Sequence, residues 1–142
     1  MFLVHRRVEF RDTDAAGIVH FSAFFPMMES AEHEALRSLG VSVMQPIGDG
    51  GHLTWPRVAS HCDYLAAARF EDMLSIAVSI QKIGVTSVTY GFDFSRAEIK
   101  IARGSITAVC CLWMPGEPLR KTEIPGPLRA RMQALAVDNT PS

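Results

Sequence analysis

The chain has 142 residues, 48 % of them apolar, enough to bury a substantial core within one domain over residues 1–142. Its 14 Lys and Arg nearly balance 15 Asp and Glu, and the formal charge of -1 offers no global attraction to nucleic acid or an anionic membrane. Three cysteines, two of them adjacent at Cys110 and Cys111, fit neither a disulfide framework nor a C-x-x-C zinc pattern, and read as reduced thiols of a cytoplasmic protein.

The apolar opening Met1-Phe2-Leu3-Val4 runs at once into His5-Arg6-Arg7. That is too short for the hydrophobic region of a signal peptide, and no later run approaches a membrane span. Val4 to Arg11 reads as a first strand, with Val8 and Phe10 sharing a face. Ser22 to Leu39 reads as the one long helix, with Ser22 as N-cap and Gly40 as its stop. At roughly 100° per residue, Phe21, Phe24, Phe25, Met28, Ala31, Ala35, Leu36 and Leu39 gather on one face. Residues 41 to 53, with Pro46, Gly48, Gly50 and Gly51, read as an irregular loop.

Period two then takes over. Residues 54 to 66, Met73 to Ile83, Thr86 to Ser95 and Ser105 to Trp113 read as strands, with connections at Lys82 to Val85 and Arg96 to Gly104 short enough for antiparallel hairpins. Prolines 115, 118, 125 and 127 precede a short helix around Leu128 to Ala136. One long helix between a first strand and four antiparallel strands implies an α+β fold, a curved five-stranded sheet wrapped around that helix. A single helix shields only part of such a sheet, so an edge and some apolar surface need a partner, and a homo-oligomer is expected.

The chemistry is concentrated in Phe10-Arg11-Asp12-Thr13-Asp14-Ala15-Ala16-Gly17-Ile18-Val19-His20-Phe21. Two carboxylates close a strand, a glycine follows, and a helix then begins. That order sets a carboxylate opposite a helix N-terminus, whose unpaired N–H groups can hold a developing oxyanion. Aspartates are also ordinary turn and cap residues, a role that suits Asp12 better than Asp14.

The run Val8-Glu9-Phe10-Arg11-Asp12-Thr13-Asp14-Ala15-Ala16-Gly17-Ile18-Val19 resembles the signature of hotdog-fold acyl-CoA thioesterases. The nearest likeness is to the 4-hydroxybenzoyl-CoA thioesterase group, with Tol-Pal-associated acyl-CoA thioesterases as relatives. Glu29 falls at a position that is acidic in both groups. The relatives' histidine and tyrosine places are held here by Phe21 and Phe10, which sides the chain with the aromatic-acyl group. The resemblance implies that Asp14 attacks the thioester carbonyl or activates a water, and that the Phe21 N–H donates to the oxyanion. It also implies access over Gly17 and support from Glu29. Ile18, Val19, His20, Lys82 and Ser87 are the substrate-binding candidates. Arg96, Lys100, Arg103, Arg120 and Lys121 are further cations able to meet phosphates by charge. The implied assembly is a homodimer, often paired into a tetramer, with sites between subunits.

Other chemistries find less support. There is no G-x-S-x-G elbow. Glu29, Glu32 and His33 share helical spacing, but no H-E-x-x-H or second E-x-x-H accompanies them, so no metal is expected. A basic stripe for nucleic acid is lacking, and coenzyme A enters only as part of a substrate, with no separate cofactor. The alternatives that stay open are hydrolysis of acyl-carrier-protein thioesters and a hotdog domain that binds acyl thioesters without cleaving them.

Overall fold

The computed structural model describes residues 1–137. Its first strand, β1 (Phe2–Arg7), ends four residues earlier than the sequence suggests. Val8 still pairs through its backbone, accepting from Glu71 N–H at 2.9 Å and donating to Asp72 O at 2.8 Å, and its side chain is fully buried. The chain then turns sharply into a 3-10 turn at Phe10–Asp12. The Asp12 carboxylate causes the turn by accepting the Glu9 N–H at 2.8 Å. Phe10 consequently leaves the face of Val8 and is 77 % exposed, where it packs edge-on against Phe70.

The helix α1 spans Phe24–Ser38 and is preceded by a 3-10 turn at Phe21–Ala23. His20 rather than Ser22 caps that turn. The buried face of α1 carries Phe24, Met27, Met28, Ala31, Ala35 and Leu36, close to the expected stripe, with Glu32 buried among them. Pro26 sits in the first turn, where no intrahelical N–H is lost. Residues 41 to 53, expected as a loop, instead form a hairpin of β2 (Gln45–Gly48) and β3 (Gly51–Thr54). Its two-residue turn is Asp49-Gly50, both at positive φ, the dipeptide that such a turn favours.

Pro56 cannot continue a ladder, and it separates β3 from β4 (Arg57–Tyr64), which lies in a different sheet. The remaining long strands are β5 (Met73–Ile83), β6 (Ser87–Arg96) and β7 (Ile99–Val109). β7 begins six residues earlier than expected, because Ala97, at φ 53, turns the chain directly after β6. The antiparallel sheet runs β1-β5-β6-β7-β4. Its inner face sends Leu74, Ile76, Val78, Ile80, Val88, Tyr90, Phe92 and Phe94 against α1, all almost fully buried. Gly104 on β7 lets the helix approach, since a Cβ there would collide with the Met28 thioether.

After β7, Cys110 breaks the ladder, and β8 (Cys111–Trp113) joins β3 and β9 (Arg120–Lys121) in a small second sheet ordered β2-β3-β8-β9. The chain then forms α2 (Gly126–Met132) and a 3-10 turn at Gln133–Leu135. Ala136 bridges back to Ile80 on β5. Among the described residues, no helix is long and apolar enough to cross a membrane.

Candidate active site

The segment from Asp12 to Ala23 forms one end of the molecule, beyond the exit of β1. Asp12 is buried there, with its carboxylate accepting from Glu9 N–H and lying 3.4 Å from Arg6 Nη2. Its oxygens are therefore occupied by the turn. Asp14 is placed differently. Its Oδ1 accepts the Ala16 N–H at 2.9 Å, an Asx turn of its own, and the residue is only half-buried. Gly17 N–H donates to Asp14 O, and Asp14 N–H to Ile18 O, which closes a tight loop. Gly17 adopts φ +79, in the region that favours glycine. The nearest atom to a Cβ built there is Arg69 Nη1 at 4.0 Å, so the turn rather than crowding accounts for the glycine.

Asp14, Ile18, Val19 and Phe21 share one crevice of about 330 Å³ with Phe24, Tyr64 and Leu65 to Ala68. A carboxylate thus stands at the rim of an apolar slot. Phe21 opens the 3-10 turn before α1, and the first N–H groups of a helical turn have no acceptor inside it. The next one along is already used: Ser22 N–H donates to His20 Nδ1 at 3.2 Å, with Ser22 Oγ 2.7 Å from the same nitrogen. Of these first two N–H groups, that of Phe21 is the one without a side-chain acceptor among the bonds of the described residues.

The rest of the slot comes from residues that the sequence reading left out of the site. Tyr64 ends β4 and donates its hydroxyl to the Phe21 carbonyl at 3.0 Å. Partial desolvation, and then the Cys62 thiol beside it, raise the Tyr64 phenol above its ordinary value. Its ring meets Phe24 edge-on at 5.5 Å, and Phe24 meets Phe94 at 5.3 Å, which ties the wall to the core. The loop beyond is pinned by Leu65 N–H and Ala66 N–H to Ile101 O, and by Arg96 Nη1, which donates to Ala67 O at 3.1 Å and to Asp72 at 2.9 Å.

The other candidates do not line this slot, although the His20 ring lies 4.5 Å from that of Phe21 and Lys100 and Arg103 share a neighbouring hollow with Leu65. His20 faces a recess on the far side of the turn, with Arg6, Arg11, Asp12, Ser22 and Ser30. Glu29 is more than half exposed and lines a separate hollow with Phe25, Arg57, Ser60 and Ile106, its carboxylate 3.9 Å from Arg57 Nη2. Glu32, which shares helical spacing with it, is gripped by the Arg57 fork. Desolvation raises the Glu32 carboxyl and lowers the neighbouring His33 imidazole. Lys82 lies near the opposite end of β5 from Met73, the residue paired with Arg7. At about 3.3 Å per residue that is roughly 30 Å along the strand. Ser87 begins β6 beside it. Arg103 is paired with Asp93 at 3.1 Å, Lys100 is exposed on β7, and Arg120 and Lys121 form β9.

A five-stranded antiparallel sheet sheathing one helix, with this slot at the end where the helix starts, is the hotdog fold. The chain belongs to the thioesterase superfamily, whose sequence model matches residues 16–102. A 1,4-dihydroxy-2-naphthoyl-CoA hydrolase of Nostoc punctiforme is 29 % identical over 109 residues, 77 % of this chain and 73 % of that protein. The crystal structure of a 1,4-dihydroxy-2-naphthoyl-CoA thioesterase from Synechocystis superposes with a TM-score of 0.81 at 27 % identity, covering 94 % of this chain and 96 % of that one. A gentisyl-coenzyme A thioesterase gives 0.80 at 28 % identity, covering 92 % and 99 %. The expectation of a thioester hydrolase agrees with these names.

Proposed function

We propose that the protein hydrolyses acyl-CoA thioesters with aromatic or short acyl groups, using Asp14 as nucleophile or general base. The observation that carries this reading is the shared slot, an apolar crevice lined by both Asp14 and Phe21, the residue that opens the turn before α1. A thioester carbonyl placed between them would meet a carboxylate, or a water that it polarises, on one side and an amide donor on the other. Phe21, Phe24, Tyr64 and Leu65 suit an apolar acyl group. The relatives named for dihydroxynaphthoyl and gentisyl thioesters support an aromatic one.

The proposed assembly is a homodimer or a dimer of dimers. β4 supports it, because it is an eight-residue edge strand with Val58 63 % exposed and its charges, Arg57 and Asp63, close to its two ends. A second copy there would bring new groups near Glu29. Free thiols at Cys62, Cys110 and Cys111 support a reducing, cytoplasmic setting. No cofactor is required by this chemistry.

Thiol release from a panel of benzoyl-, hydroxybenzoyl-, naphthoyl- and short-chain-CoA esters, with carrier-protein thioesters alongside, tests the reading. Asp14→Asn is expected to lower the rate by at least about a hundredfold, the low end for losing a positioned acid or base. An inert wild-type chain would favour a binding role, and an active Asp14→Asn would place the chemistry on another group.

A further inference from the structure

Resting on the reading of Asp14 and Phe21 as the reacting pair, we propose that Tyr64 and His20 are positioning residues that clamp the Phe21–Ser22 peptide from both ends, and so hold the Phe21 N–H at the crevice. One planar peptide unit carries the Phe21 carbonyl and the Ser22 N–H. The carbonyl takes the Tyr64 hydroxyl at 3.0 Å, and the N–H gives to His20 Nδ1 at 3.2 Å. A peptide plane held at both ends cannot swing, and only the two dihedrals of Phe21 separate it from the N–H on the other side of that residue.

The two anchors come from different parts of the fold. His20 precedes the turn and receives its own backbone order from His20 N–H donating to Asp12 O at 2.8 Å. Tyr64 arrives from the last residue of β4, some forty positions later, with its ring seated edge-on against Phe24. The clamp therefore joins the edge strand to the segment that follows the Asp14 loop. Both bonds are exposed, so each adds little to global stability. Their effect is on geometry: an oxyanion donor works only when fixed in advance at the place where charge develops. This gives His20 a task on the reverse side of the turn, one that needs no contact with substrate.

The test combines kinetics on the aromatic CoA thioester that wild type cleaves fastest with amide hydrogen exchange at Ser22, followed by NMR. Tyr64→Phe keeps the ring and removes the bond. It is expected to lower kcat about tenfold, the equivalent of one hydrogen bond's worth of barrier, while KM stays within about twofold. His20→Ala should do the same, and His20→Asn, whose carbonyl can also cap Ser22, should restore most of kcat. Ser22 exchange should quicken in Tyr64→Phe and His20→Ala and return toward wild type in His20→Asn. Full kcat in Tyr64→Phe, unchanged Ser22 exchange, or a His20→Asn no better than His20→Ala would overturn the clamp while leaving Asp14 in place. A wild type inert on every thioester would overturn the reading of Asp14 and Phe21 instead, and with it the clamp's catalytic purpose, whatever the exchange rates show.

Discussion

The Arg57 guanidinium reaches from the edge strand to the buried Glu32 carboxylate on the inner face of α1, with Nη1 2.9 Å from Oε1 and Nη2 against Oε2. Burial alone would drive Glu32 to hold its proton. The Arg57 charge and hydrogen bonds oppose that, and the net effect is a raised carboxyl. Removing the partner strands a fully buried charge, so Arg57→Ala should cost about 3 kcal/mol near pH 8. The sign of its pH dependence follows from the part that Arg57 plays. Its charge and hydrogen bonds hold the Glu32 carboxyl down against burial, so without Arg57 the folded chain takes up a proton on Glu32 at a higher pH than wild type, and that proton neutralises the stranded charge. The variant's deficit should therefore shrink on acidification. Urea unfolding at pH 8 and pH 5 checks this, and equal deficits at both would mean that Glu32 is not the stranded group.

Asp12 and Asp14 stand two residues apart and face different demands. Asp12→Ala removes the acceptor for Glu9 N–H and the partner of Arg6, and should cost about 2 kcal/mol, typical of a hydrogen bond to a charged group. Asp14→Ala gives up only an exposed Asx bond and should cost no more than about 1 kcal/mol while abolishing most turnover. Unfolding curves run beside thiol-release rates separate the two. A larger stability loss at Asp14 than at Asp12 would reverse the assignment.

Elements with unbroken periodicity were legible in the sequence. Leu74, Ile76, Val78 and Ile80 could be read as one face of a strand, and the α1 stripe as one face of a helix, because burial demands that repetition. What escaped notice was local. The end of β1 depends on one Asp12 hydrogen bond that outweighs the β-propensity of Phe10. The β2–β3 hairpin was carried by Asp49-Gly50, a turn signal hidden among neighbouring glycines. That Asp14 and Phe21 share one crevice was readable, because they are close in the chain. Tyr64 and the Leu65–Ala68 wall were not, since strand order alone brings the end of β4 beside the start of α1.

Gly17 offers a test of conformation against access. Its φ of +79 should make Gly17→Ala cost about 1 kcal/mol through strain, with nothing within 3.4 Å to add a clash. Asn tolerates this region better, so Gly17→Asn should recover part of that loss. If close approach of substrate were instead the reason for the glycine, both variants would raise KM alike, whatever their stability. Thermal melts together with KM values on one thioester distinguish the two.

The contact of Gly104 with Met28 sets how deeply α1 sits in the sheet. A methyl at position 104 falls on the Met28 thioether, and Gly104→Ala should destabilise by about 1–3 kcal/mol through overpacking. Met28 is completely buried, so Met28→Ala alone should cost about 2–5 kcal/mol through the cavity that it leaves. In the double variant the new methyl enters the space vacated by the methionine, and the combined loss should fall short of the sum by at least about 1 kcal/mol. A double-mutant cycle measured by urea denaturation reads that coupling directly. Strict additivity would show that the helix tilts away from β7 to admit the methyl, and that Gly104 does not fix the spacing of helix and sheet.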